Sequence, residues 1–459
     1  MSNVIKLRKG LDLPLKGAAQ QQKLPVTPTG LYALVPDDFV GVVPKVLVRE
    51  GDHVLAGEPL FANKQCEEVT FASPVSGTVK AVVRGERRKV LCVQVEADKE
   101  QQWKDFGKKD VAAMDGPQVL QALLQAGLFG YIDQLPYAVS TTPDTKPKAI
   151  FVSALRDKPL AADFQYEVKG QEREMLTALA ALAKMAPVHL GVGSLQADLL
   201  SAVQQQLPTG VEVTVFDGPC PAGNVGVQVN HVSPVNKGEV VWTIGDPTVL
   251  LFIGRLLLTG RVDLRRTVAL CGSEVSAPAY ADMLVGQQLT TLLMNGAVPE
   301  ADVREGNVRI IRGNILTGCP CQPDHFLGAH ESEVTVIPEG NHADELLGWI
   351  MPRLKQFSVS RSYFSWLCPK KQFTADARIK GGERHIIMSG EYDRVLPMDI
   401  YGEYLIKAII TGDIDRQEQL GIYEVSPEDF ALAEFVDSSK LELQRIVREG
   451  LDILRKENA

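Results

Sequence analysis

The 459-residue chain has no stretch approaching the roughly 18 apolar residues that cross a bilayer; the strongest candidate, 249–258, is short and interrupted by Arg255. The basic residues within 1–10 are not followed by the apolar core of a signal peptide, so export is not expected. Cysteine is scarce. Seven residues, odd in number and scattered, argue against a disulfide framework and fit a reducing cytoplasm. No Cys-x-x-Cys run offers the clustered thiolates of an iron–sulfur centre. Basic excess is missing too: 48 Lys and Arg stand against 57 Asp and Glu, a net charge of -9, without the footprint that nonspecific nucleic-acid binding requires. The phosphate fingerprint of dinucleotide folds is incomplete. Gly191-Val192-Gly193-Ser194-Leu195-Gln196 carries two of the three glycines and reads first as a tight strand–helix turn.

What remains is an ordinary globular composition, 45% hydrophobic and 23% charged, long enough for roughly three domains of about 150 residues each. Residues 1–98 read as all-β. A phrase running from Val46 through Gly51-Asp52-His53-Val54 and Gly57-Glu58-Pro59-Leu60 to Ser73-Pro74-Val75-Ser76-Gly77-Thr78-Val79 places glycines at tight turns and apolar residues on alternate faces. It resembles the biotinyl/lipoyl carrier domain, a barrel-sandwich hybrid. In carriers, a lysine flanked by methionines projects from the hairpin between the two halves. Here that hairpin is Asn63-Lys64-Gln65-Cys66, without methionine, so Lys64 reads as an exposed surface lysine. The run Arg84, Arg87, Arg88 and Lys89 reads as a solvated turn.

Residues 99–148 look like a helical connector, with Val119, Leu120, Leu123 and Leu124 on one face of a helix over 111–126. Residues 149–261 alternate strand and helix, which implies parallel βαβ units and a Rossmann-like layer. Such sheets bind ligands at the carboxyl ends of their strands. The loop after the third strand of this layer, Asp217-Gly218-Pro219-Cys220-Pro221-Ala222-Gly223-Asn224-Val225-Gly226, has a glycine-rich backbone that suits an anion or a ring edge, or simply its own turn. His231 follows and reads first as a structural hydrogen-bonding group. Residues 262–338 give strand, short helix (286–293) and strand, the spacing of a small β-grasp module. They hold Cys319-Pro320-Cys321, His325 and His330, the only cluster of metal-ligand atoms, in spacing tighter than zinc sites use. Residues 339–459 read as a C-terminal helical domain without cluster cysteines. Helix starts are expected at Ser426-Pro427-Glu428-Asp429 and at a capping box of Ser439 and Glu442, after which Leu443, Ile446, Val447, Leu451 and Leu454 form one face.

The fold class is therefore multidomain α/β plus β. Three runs carry a whole-chain resemblance: Lys6-Leu7-Arg8-Lys9-Gly10-Leu11-Asp12-Leu13-Pro14-Leu15-Lys16-Gly17; Pro221-Ala222-Gly223 with Val232-Ser233-Pro234-Val235; and Gly421-Ile422-Tyr423-Glu424-Val425-Ser426-Pro427-Glu428-Asp429-Phe430 with Glu434-Phe435-Val436-Asp437. With these the chain resembles the A subunits of sodium-translocating NADH:quinone oxidoreductases, relatives of the large soluble subunit of the Rnf complex and of the flavin subunit of complex I. The resemblance implies a peripheral subunit on the cytoplasmic face of the bacterial inner membrane, without a transmembrane span. It implies docking to membrane subunits of the same complex, with flavins, iron centre and NADH site in those partners and no covalently bound cofactor here. It further implies a contribution to ubiquinone reduction. By position, Pro221, Ala222, Gly223, Asn224, Gly226 and His231 are the expected quinone-binding residues, with no catalytic residue and no metal ligand assigned. Two alternatives stay open: a docking scaffold with quinone held only by the membrane partners, and a biotinyl/lipoyl carrier component.

Overall fold

A computed structural model describes residues 3–341, 353, 356–361, 363–368 and 370–458. The N-terminal part is a barrel-sandwich hybrid. One sheet orders its strands Leu31–Leu34, Val90–Ala97, Gly77–Arg84 and His53–Val54; the other orders Pro44–Val46, Pro59–Asn63 and Cys66–Ala72. Alternation in these strands buries Leu60, Val69, Phe71, Val79, Val93 and Val95 between the sheets. Gly51 and Gly57 take φ of 90° and 93°, a region closed to most side chains, and the Arg49 N–H donates to the Asp52 carboxylate across the first turn. Lys64 and Gln65 form the exposed tip between Asn63 and Cys66.

The central sheet has seven strands in the order Asn3–Lys6, Val211–Asp217, Val188–Gly193, Ile150–Ser153, Val241–Ile244, Asp133–Leu135 and Val139–Ser140. The first five are parallel; Asp133–Leu135 runs against them. The parallel strands are nearly continuous apolar runs because helices cover them. Two of these helices, Glu172–Leu182 and Thr248–Thr259, pack so closely that a Cβ on Gly254 would stand 2.0 Å from the Glu174 carbonyl oxygen. Gly254→Ala is thus expected to destabilise the protein by about 1–2 kcal/mol, the strain exceeding the gain in helix propensity. A lower urea midpoint at unchanged slope checks it.

The stretch read as a helical connector holds one α-helix, Gly116–Gln125, closed by a reciprocal capping box between Asp115 and Gln118. Its remainder is drawn into neighbouring elements and supplies two strands of the central sheet. A six-stranded sheet follows, ordered Cys319–Cys321, Val308–Arg312, Glu333–Pro338, Arg265–Cys271, Ala279–Leu284 and Gln20–Leu24. The helix expected over 286–293 forms instead at Thr290–Asn295, since Gly286 and Gln287 are used in a turn. Toward the C-terminus lie the helices Gly402–Thr411, Ile414–Gln419, Ala431–Val436 and Leu443–Glu457, packed around Leu405, Ile406, Phe430, Val447 and Leu451. The helical reading of 339–459 also spans 342–352, 354–355, 362, 369 and 459, which lie outside the described residues. Ser426 forms its expected box, its N–H and hydroxyl both donating to Asp429 at 2.8 Å. Ser439 does not: Lys440 at φ 58° breaks the approach, the Ser439 hydroxyl donates to the His385 carbonyl, and the helix starts at Leu443.

Candidate functional site

The carboxyl ends of the parallel strands open on a cavity of about 700 Å³. Three of the five strands contribute the residues that follow them: Leu155, Arg156, Asp157 and Lys158 after Ile150–Ser153, Gly245 and Asp246 after Val241–Ile244, and Gly223 and Gly226 after Val211–Asp217. The opposite wall comes from the six-stranded sheet (Arg312, Cys319, Glu331) and from the C-terminal part (Glu428, Gln444, Arg448). Tyr131, Asp133, Leu135 and Ala138 close one side.

A buried charge network floors the cavity. Asp246 accepts from Arg156 at 2.6 Å and from Arg266 at 2.7 Å; Arg156 also donates to Glu167 at 2.8 Å, and Arg266 to Ser332 and to the Ala329 carbonyl. Burial pushes the Asp246 carboxyl up, but Arg266 and Arg156 more than offset it and hold it well below the carboxylate range. The network joins the central sheet to the six-stranded sheet. Other wall carboxyls lack such compensation. Burial pushes Asp133 up to about 7, with Glu428 adding to the rise and Arg448 opposing it. Burial pushes Asp157 up to about 6, although it accepts the Gly223 N–H at 2.8 Å. Glu331 rises by burial as well, against the pull of Arg312, which it shares with Asp38. Lys158 is ion-paired to Glu428 at 2.7 Å, and that carboxylate outweighs burial and holds the ammonium protonated.

Tyr131 is buried in the wall, edge-on to Phe39 and Phe252, and its hydroxyl has no hydrogen-bond partner among the described residues. The Nε of Arg448 is in the same condition, while its two terminal nitrogens donate to the carbonyls of Ala138 and Tyr137. A fully buried hydroxyl left unpaired costs free energy unless a ligand or water completes it.

The loop singled out in the sequence is divided by the fold. Gly223 and Gly226 reach the cavity wall, while Pro221, Ala222 and Asn224 lie buried behind it. The loop's N–H groups are taken internally, by Asp12 for Cys220, Pro219 for Ala222, Asp157 for Gly223 and Pro221 for Asn224. His231 is exposed near the end of the helix Val225–Val232, bonded to the Val227 carbonyl and outside the cavity lining. The two-glycine turn is plugged by its own glutamine: Gln196 accepts the Gly193 N–H at 2.8 Å and donates to the Ala154 carbonyl. No group of three or more His, Cys, Asp or Glu among the described residues is placed to hold a metal ion; Cys319 and Cys321 belong to a strand, and His330 packs between the rings of Phe39 and Tyr131. Sequence reasoning missed Tyr131, Asp133, Asp157, Lys158, Glu331 and Arg448. Of these, Asp157 and Lys158 were signalled by their position just past a buried strand.

Fold and site define a mixed α/β multidomain protein with an open cavity, lined by both charged and apolar side chains, where its sheets and C-terminal helices meet. Three family models match it in chain order: "NqrA N-terminal barrel-sandwich hybrid domain" over 5–98, "NqrA second alpha/beta domain" over 114–262 and "NQRA C-terminal domain" over 267–322. The A subunit of the Na(+)-translocating NADH-quinone reductase of Rhodopirellula baltica is 34% identical, with 99% of each chain covered; that of Yersinia pestis bv. Antiqua is 33% identical over 99% of this chain and 100% of the other. The chain belongs to this family, the A subunits of the Na(+)-translocating NADH-quinone reductases. An NAD+-reducing NiFe hydrogenase crystal structure aligns at TM-score 0.35 and 15% identity, covering 49% of this chain and 47% of that one, too slight a likeness to bear on fold or function.

Proposed function

We propose that the chain works as a peripheral subunit on the cytoplasmic face of a sodium-pumping NADH:ubiquinone oxidoreductase, without a redox cofactor of its own, and that it holds a quinone head in the cavity. Its parallel layer is read as Rossmann-like and its six-stranded sheet as a β-grasp module. Membrane subunits of the same complex supply electrons and translocate sodium. The observation that carries the quinone reading is a cavity with apolar walls at Leu135, Ala138 and Leu155 and, buried within its wall, a Tyr131 hydroxyl with no partner among the described residues. A quinone head needs an apolar slot with one or two donors to its carbonyls, and Tyr131 and Arg448, each with a buried unpaired donor at the wall, are the side chains that would supply them. Reduction of a quinone to a quinol takes two electrons and two protons. Asp157 at about 6 and Asp133 at about 7 are the wall groups fitted to hand over protons near neutral pH. Gly223 and Gly226 form the wall behind the ring, supported by Pro221, Ala222 and Asn224; His231 has no part in it.

The scaffold reading is favoured by one feature, the internal use of every loop N–H named above. Calorimetric titration of the full chain with a short-tailed ubiquinone separates the two. Saturable binding, weakened at least tenfold by Ala161→Trp, which fills the cavity from its wall, is the expected result. Absence of saturation leaves the chain as a docking scaffold.

A further inference from the structure

The chain is acidic overall, yet residues 353–385 hold eight Lys or Arg against two Asp or Glu. One of those two, Asp376, is already paired with Arg378 and Lys380. The same stretch exposes large apolar side chains that a soluble surface ordinarily covers: Phe364, Trp366 at 51%, Leu367 at 58%, and Val359. They are held together. The rings of Phe357 and Phe373 meet at 5.8 Å and close the loop at its base, the Ser358 N–H donates to the buried Ser365 hydroxyl inside it, and Phe364–Leu367 forms a single 3-10 turn. The loop base is fixed to the body, since Phe373 donates to the Pro14 carbonyl at 2.7 Å and accepts from the Lys16 N–H at 3.0 Å. The backbone pairing brings the exposed Lys16 to the base of a loop that carries the exposed Arg361, Lys370 and Lys371, and the Arg361 guanidinium lies over the Trp366 ring.

We infer that this loop seats the chain directly on an anionic lipid surface. Exposed aromatic and aliphatic side chains on a loop that also carries cations match the two layers of such a surface: Trp and Phe settle at headgroup depth, and Lys and Arg meet the lipid charge. The local charge is opposite to that of the rest of the chain, whose net negative charge a bilayer of anionic lipid repels. No helix among the described residues is long and apolar enough to cross a membrane, so attachment here is by surface contact. The inference rests on the proposed peripheral location and is independent of quinone binding.

Co-sedimentation of the full chain with phosphatidylglycerol vesicles and with phosphatidylcholine vesicles tests it. The chain is expected to pellet with the first and stay in solution with the second, and to be released by raised salt. Each cation near the surface contributes roughly five-fold to partitioning, so Lys370→Glu with Lys371→Glu lowers it more than tenfold. Trp366→Ser with Leu367→Ser lowers it at least as much. Arg87→Glu with Arg88→Glu, on the solvated barrel turn, leaves it within two-fold; thermal melts show that each variant is folded. Equal pelleting with both lipids, pelleting with neither, retention only when vesicles carry membrane subunits, or equal loss from the barrel control would each overturn the inference. A quinone titration of the same chain in solution is unaffected by any of these results.

Discussion

Asp246→Ala is expected to destabilise the protein by about 3–5 kcal/mol, the range seen when one partner of a buried ion pair is removed. Two guanidiniums then lose their shared acceptor. Arg266 is fully buried and keeps only the Ser332 and Thr248 hydroxyls and the Ala329 carbonyl; Arg156, 9% exposed, keeps Glu167 and Thr248. The loss falls at the seam between the central sheet and the six-stranded sheet, so the cavity wall slackens with it. Urea unfolding reads the destabilisation, and a single lowered transition is the expected form. Coupling Asp246→Leu with Arg266→Met removes the charge together with its partner, and is expected to recover more than half of the loss. A loss below 1 kcal/mol for Asp246→Ala would place the two arginines in water and contradict the geometry.

The barrel was legible because each of its signals is local. The glycines at 51 and 57, Asp52 and the alternating Leu60 and Val79 act within a few residues of one another, and the structure returns those turns and faces. Family membership was legible for a similar reason, from contiguous runs such as the one beginning at Gly421. Strands that depend on remote partners gave no such signal. Asn3–Lys6 and Gln20–Leu24 are short, largely exposed edge strands whose burial shows no alternation to set them apart from loop. They exist because Val211–Asp217 and Ala279–Leu284 present free edges more than 200 residues away. The Ser439 box failed for the opposite reason: a correct local pattern lost to a tertiary bond with His385.

The site divides along the same line. The rule that ligands gather past the ends of parallel strands points to the end of the sheet where the cavity opens, and the loop after Val211–Asp217 supplies only Gly223 and Gly226 to it. Asp157, Lys158 and Asp246 follow the other two strands and satisfy it equally well. Tyr131, Asp133, Glu331 and Arg448 were beyond reach, since no spacing links a connector, the six-stranded sheet and the last helix. What sets Tyr131 apart is that its hydroxyl has no partner among the described residues, a property that exists only after folding.

Raising the pH from 5 to 8 is expected to cost the protein about 3 kcal/mol through Asp133, Asp157 and Glu331 alone, roughly half the full linkage value because each carboxyl faces a water-accessible cavity. The direction follows from burial. Each of the three titrates higher folded than unfolded, so in the window from about 4 to about 7 the folded chain holds protons that the unfolded chain has released. Their contribution is complete at low pH and is lost as pH rises through the folded values. Half-buried His330, held down to about 4 by desolvation, acts oppositely: it favours the folded state increasingly as pH rises to its unfolded value near 6.5, as does His189 on a smaller scale. Asp246, held far down, matters only below about pH 4. The clean readout is therefore the difference between the chain and the Asp133→Asn, Asp157→Asn, Glu331→Gln variant, measured by urea unfolding from pH 5 to 8. The variant is expected to gain on the parent steadily across that range while keeping the acceptors that the Gly223 and Gly328 N–H groups use. A difference that does not grow with pH would mean that these carboxyls are ionised throughout, and with that the proton-holding wall assigned to the cavity would be gone.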